Sequence, residues 1–195
     1  MSGQRSFAIA TVRLYVCNSI TSKKFKRIVV GTILYGGFTI PFNIMWVPTA
    51  GPIALRPTVV IPLFFGFLFG PLIGFTTGFF GNLISDFFSF GSFFWNWDIG
   101  IGLIGLVAGV GYLLVNRWGC ARNSQLLLSI ILSLVGSLVG VGFAAVTDYL
   151  FGLGMSPTIA VSEFTSAVLT YSINGVILTP ILLALRLLLY SKRDN

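Results

Sequence analysis

The chain contains no histidine, only five acidic residues, two cysteines, and charged residues at 9% of its length. Without histidine, and with no clustered cysteines, it lacks the usual ligands of a zinc site and the usual general base. No G-x-S-x-G elbow and no Walker A loop occur, so the chain has no means of its own to hydrolyse ATP. The low charge content excludes a water-soluble globular surface, which takes about a quarter of its residues from Asp, Glu, Lys and Arg. No catalytic residue, metal site or cofactor is expected. Polar-in, apolar-out alternation is also missing, which argues against a membrane β-barrel.

What is present is apolar. Hydrophobic residues make up 55% of the 195 residues and mean hydropathy is +0.94. Six apolar segments are set off by turn residues and charges, at about 28–46, 57–69, 71–88, 98–115, 126–147 and 159–185. A helical span needs about 20 residues, so the expected fold is an all-α integral membrane protein with six transmembrane helices. The second segment is short, and Gly70-Pro71 follows it directly, which predicts a tight helical hairpin. Pro180 is a possible bend in the long last helix.

The net charge of +7 lies in short groups between apolar runs, so it orients a membrane protein and does not form a nucleic-acid surface. With the N-terminus cytoplasmic and alternating spans, eleven of the twelve basic residues fall inside. They are the group ending at Lys23, Lys24, Lys26 and Arg27, then Arg117 and Arg122, and finally Arg186, Lys192 and Arg193. Both termini are therefore expected in the cytoplasm. The chain divides into a basic arm (1–27) lying on the membrane surface, a six-helix membrane domain (28–190) and a short tail (191–195). Cys17 and Cys120 fall on the reducing side, and no disulfide is expected.

The same topology places Arg56, Asp86, Asp98, Asp148 and Glu163 near the outer ends of helices, beside the aromatic run Phe93-Phe94-Trp95-Asn96-Trp97. Charges and amides at membrane depth are costly unless they meet a partner or a wet cavity. Aromatic faces with a few convergent polar groups suit a small-molecule pocket. An interfacial aromatic belt, with Arg56 paired to Asp86 or Asp98, is the plainer reading of the same residues. Glycines at 66, 70, 74 and 78, at 102, 105 and 109, and at 136 and 140 share helix faces and predict close helix packing. Gly100-Ile101-Gly102-Leu103-Ile104-Gly105 matches a dinucleotide-loop pattern but lies inside a span, so it is read as a packing face.

The stretch Ala54-Leu55-Arg56-Pro57, Ile61-Pro62, Gly66 to Gly74, Gly78, Gly81-Asn82-Leu83-Ile84-Ser85-Asp86 and Gly105 to Gly109 resembles the substrate-binding S components of energy-coupling factor (ECF) transporters. The resemblance is sharpest over residues 50–112. It implies a six-helix subunit of a bacterial cell membrane, not an enzyme, that captures a vitamin or related micronutrient from outside. Its partners would be a transmembrane T component and two cytoplasmic ATPases. By the resemblance, the ligand sits among the first outer loop, the 89–97 loop and the last three helices. This points to Arg56, Trp95, Trp97, Asp98, Asp148 and Glu163, and next to Asn82, Asp86, Tyr171 and Asn174. The family's Ala-x-x-x-Ala docking pair on the first helix has its nearest equivalent in Thr32 and Gly36. A membrane scaffold of similar layout is the competing expectation. An enzyme acting on lipid phosphates is weaker, because it would need more than one external cation.

Overall fold

The computed structural model describes residues 2–44, 56–151 and 156–191. The first outer loop at 45–55, together with Lys192 and Arg193, lies outside the described residues. Six helices account for nearly all of what is described: α1 (Ser2–Ile44), α2 (Val60–Phe69), α3 (Pro71–Phe90), α4 (Trp95–Trp118), α5 (Arg122–Leu150) and α6 (Pro157–Ser191), with a short 3-10 turn at Pro57–Val59 before α2. α1 runs unbroken across the arm boundary expected at 27/28. Among the described residues three segments are long and apolar enough to cross a membrane: Trp95–Trp118, Arg122–Leu150 and Val161–Leu189. α4 begins three residues before the expected segment, so Trp95 and Trp97 join Asp98 in its first turn instead of lying in a loop. The G-x-G-x-x-G run lies wholly within α4, away from any strand-to-helix turn.

Local chemistry sets the turns. Pro71 stands at the first position of α3, where its missing N–H costs nothing. Gly91 and Gly119 close α3 and α4 in the left-handed conformation. Gly70 adopts φ 104° and ψ 170° between α2 and α3, a region open essentially to glycine alone. A Gly70→Ala variant is therefore expected to lose about 1–3 kcal/mol, read as a lower unfolding midpoint in detergent. An unchanged midpoint would mean that the hairpin does not hold this geometry.

α4 is the central element, flanked by α2, α3 and α5, with α1 packed on α3 and α6 on α5. Glycine permits these approaches. A Cβ on Gly74 would stand 2.2 Å from the Gly105 carbonyl oxygen, and one on Gly66 the same distance from that oxygen. Gly100 and Gly140 bring α4 onto α5 in the same way. Ser129, Ser133 and Ser137 line the buried face of α5, and their hydroxyls donate to carbonyls of their own helix at 2.7–2.8 Å. Those hydroxyls are thus satisfied without separating the helices.

The apolar core holds Tyr35, Val59, Leu63, Ile101, Ile104, Ala108, Val141 and Tyr171. The outer surface is equally apolar: Ile33, Phe38, Leu72, Leu138, Ile177 and Leu189 are exposed, whereas Asn82, Asp86, Asn96, Asp98 and Asp148 are buried. This distribution, polar within and hydrocarbon without, fits a lipid solvent.

Candidate functional site

The end of α3, the start of α4 and the end of α5 meet at one end of the bundle, and Tyr35, Arg56 and Tyr171 reach the same region. A cavity of about 220 Å³ opens here, lined by Arg56, Asn82, Asp86, Phe94, Trp97, Ile101 and Tyr171. Arg56 precedes the 3-10 turn and donates from Nη1 to the Tyr171 hydroxyl of α6 at 3.3 Å. Its partner is thus a phenol, and the pairing with Asp86 or Asp98 expected in the plainer sequence reading does not carry the contact.

Beneath the cavity the polar groups form a network. Asn82 Nδ2 donates to Asp86 Oδ2 and to Asp98 Oδ1, each at 2.9 Å, and Asn82 Oδ1 accepts from the Tyr35 hydroxyl at 3.3 Å. Residues 82 and 86 are one helical turn apart on α3, and Asp98 comes from α4, so one amide ties two carboxylates on two helices. Asp148 of α5 is held separately: Asn96 Nδ2 donates to its Oδ1 and Trp97 Nε1 donates to its Oδ2 at 2.9 Å. Asn96 also donates to the Ala144 carbonyl at 3.2 Å. The first turn of α4 therefore faces α3 through Asp98 and α5 through Asn96 and Trp97.

Arg56, Asn82, Asp86, Trp97 and Tyr171 are brought together around the cavity, with Asp98 and Asp148 directly behind it. The remaining sequence-derived candidates stand elsewhere. Trp95 is 45% exposed and packs edge-on against Phe151. Glu163 is exposed on α6 and does not line the cavity. Asn174 is buried and donates to the Thr170 carbonyl one turn earlier in its own helix. Thr32 and Gly36 are both buried in this chain, and a Cβ on Gly36 would meet the Gly81 carbonyl oxygen at 2.9 Å. Their small size brings α1 onto α3, so the pair does not present a free docking face. Tyr35, Phe94 and Asn96 were not among the candidates. The only signal for Asn96 was an amide between two tryptophans, and for Tyr35 a lone phenol in an apolar run.

The opposite end of the bundle is basic. Arg27 lies over the Phe69 ring with its guanidinium carbon 4.5 Å from the centroid, beside the α2–α3 turn. Arg117 occupies the last turn of α4, and Arg122 opens α5. Arg186 lines a smaller cavity there with Tyr112, Asn116 and Gln125.

Among the described residues no group of three or more Cys, Asp or Glu side chains is placed to hold a metal ion. Among the described residues the cavity offers aromatic walls, one cation and a carboxylate.

Comparison with known proteins agrees. The chain is 27% identical over 133 residues to a UPF0397 protein of Aliivibrio salmonicida, covering 67% of this chain and 72% of that one. It is 29% identical over the same length and shares to a UPF0397 protein of Vibrio atlanticus. With a UPF0397 protein of Streptococcus gordonii it shares 29% identity over 125 residues, 63% of this chain and 67% of the relative. No solved structure matches significantly. The profile of the family described as "ECF-type riboflavin transporter, S component" matches residues 21–187. With that match over most of its length, the chain belongs to the family of ECF-type transporter S components, substrate-binding subunits of transporters and not enzymes.

Proposed function

We propose that this subunit captures a vitamin-like micronutrient from the outer face of a bacterial cell membrane and delivers it for ATP-driven import by a transmembrane T component and cytoplasmic ATPases. The observation that carries the reading is the cavity between Arg56, Asn82, Asp86, Trp97 and Tyr171. It combines aromatic surface with a few fixed polar groups, as small-molecule sites do. Riboflavin, named in the family's description, is one candidate cargo. The sequence carries no Walker A loop, which accords with energy supplied by partners.

The orientation follows from charge. Arg27, Arg117, Arg122 and Arg186 gather at the end away from the cavity. Under the positive-inside rule this end faces the cytoplasm, the cavity faces outward, and both termini are cytoplasmic.

The proposed binding residues are Arg56, Asn82, Asp86, Trp97 and Tyr171, with Asp98 and Asp148 holding them in place. Trp97 is both a wall of the cavity and the donor to Asp148. Trp97→Ala is expected to weaken ligand binding by at least about tenfold, measured by titration calorimetry with the compound that co-purifies with the unaltered chain. Binding unchanged in a folded Trp97→Ala protein would remove the cavity from the reading. A purified chain with no bound compound, and no thermal shift across a panel of vitamins, would point instead to a scaffold.

A further inference from the structure

The carboxylates behind the cavity are not equivalent. Both oxygens of Asp148 accept hydrogen bonds, from Asn96 and Trp97. Asp86 and Asp98 share a single amide, Asn82 Nδ2, whose two hydrogens they use up. Asp98 is 1% exposed, and its Oδ2 is buried with no hydrogen-bond partner among the described residues. Asp86 lines the cavity itself. A carboxylate can accept about four hydrogen bonds, and a buried one short of donors is costly. This pair is therefore deficient in donors and in positive charge beside an open space.

Arg56, the one cation lining the cavity among the described residues, directs Nη1 to the Tyr171 hydroxyl on the α6 side, whereas the two carboxylates sit on α3 and α4. Arg56 and Asp86 line the cavity and Asp98 lies behind it on Asn82, so among the described residues carboxylates outnumber cations here, a shortfall that a cationic ligand can fill. Trp97 and Phe94 supply ring surface next to the acidic wall. At about 220 Å³ the cavity is also below the ~300–1,000 Å³ typical of pockets for drug-sized ligands, which favours one or two rings.

Resting on the capture reading above, we propose that the cavity takes a small, flat, positively charged nitrogen heteroaromatic, with its N–H donors on Asp86 and its ring against Trp97. A cation so placed gains charge-assisted hydrogen bonds and ring contact together. A neutral tricyclic flavin lacks the charge.

Two measurements test this on the full-length chain in detergent. In the first, native mass spectrometry is followed by denaturation and identification of any released compound. In the second, thermal shifts are compared for thiamine, an aminopyrimidine joined to a cationic thiazolium ring, for riboflavin, a neutral tricycle, and for pantothenate, an aliphatic anion. The expected result is a released cationic nitrogen heteroaromatic, or a shift with thiamine that exceeds those with riboflavin and pantothenate. Asp86→Asn, close in shape but without the charge, should then weaken that binding by about tenfold or more.

Release of a flavin or an anionic vitamin, or a shift with riboflavin or pantothenate that equals or exceeds that with thiamine, overturns the charge assignment and leaves the capture role standing. A chain that releases nothing and shifts with none of the three probes overturns both. The probe comparison uses the unaltered chain, so a poorly folded Asp86→Asn variant cannot obscure it.

Discussion

Gly105→Ala is expected to destabilise this protein by about 3 kcal/mol or more, among the largest losses available from a single methyl group. A Cβ at position 105 would stand 2.2 Å from the Gly74 carbonyl oxygen, 2.5 Å from its carbon and 3.1 Å from its Cα. All three atoms are backbone, so no rotamer change can make room. Relief requires α3 to move off α4, which opens the contact that Gly74 makes with the same turn of α4. Overpacking in ordinary cores costs about 1–3 kcal/mol, and a clash against rigid backbone belongs at or beyond the upper limit. Helix propensity works the other way, since alanine is favoured over glycine by about 1 kcal/mol in a helix interior. Gly37 provides the contrast, because a Cβ there would meet nothing within 4 Å. Gly37→Ala should therefore be neutral or stabilising by up to about 1 kcal/mol. Unfolding midpoints of both variants in one detergent decide the matter, and a Gly105→Ala midpoint equal to that of Gly37→Ala would show that α3 and α4 are not in this close contact.

Asn82→Leu is expected to cost a similar amount, about 3 kcal/mol, and to abolish ligand binding with it. The amide makes two hydrogen bonds to carboxylates and receives one from Tyr35. Hydrogen bonds to charged groups contribute about 1.5–3 kcal/mol each, and those lost here leave buried acceptors with no replacement. The two carboxylates would also face each other without the donor between them. Adding Asp98→Asn to Asn82→Leu should recover part of the loss, because it removes one of the stranded charges, and a double-mutant cycle measures that coupling. Thr76→Val is the matching control. Thr76 is half-buried and its hydroxyl donates to carbonyls of its own helix, at 2.8 and 3.2 Å, with no link to another helix among the described residues, so the change should stay within about 0.5 kcal/mol. Additive losses in the cycle would mean that Asn82 does not bridge the pair.

Much of the architecture was legible in the order of residues, for local reasons. The Gly70-Pro71 hairpin depends on a backbone conformation reserved to glycine and on a proline that can only begin a helix, and both appear as adjacent letters. Six apolar segments separated by charges or turn residues became six helices, because hydrocarbon solvent demands that each segment satisfy its own backbone hydrogen bonds. Assigning Gly100 to Gly105 to a helix interior held because its flanks are apolar, whatever its match to a nucleotide loop. The S-component family was legible too, in the spacing of Arg56-Pro57, the glycines and Asn82 to Asp86.

The composition of the site was legible only in part. Asp148 and Glu163 looked alike as outer acids near helix ends. In the fold the first accepts hydrogen bonds from residues 51 and 52 positions away, and the second is exposed. Thr32 and Gly36 were legible as the nearest equivalent of a docking pair, and in the fold both are buried where α1 meets α3. Periodicity tells which residues share a face of one helix, and charge tells which ends of helices belong together. Which face turns inward, and at what depth an Asn82 meets an Asp98, depends on how far neighbouring backbones can approach. Contacts such as Gly74 on Gly105 set that distance between parts of the chain remote in sequence, so the helices and their order were determined by the sequence alone, and the shape of the cavity only by their packing.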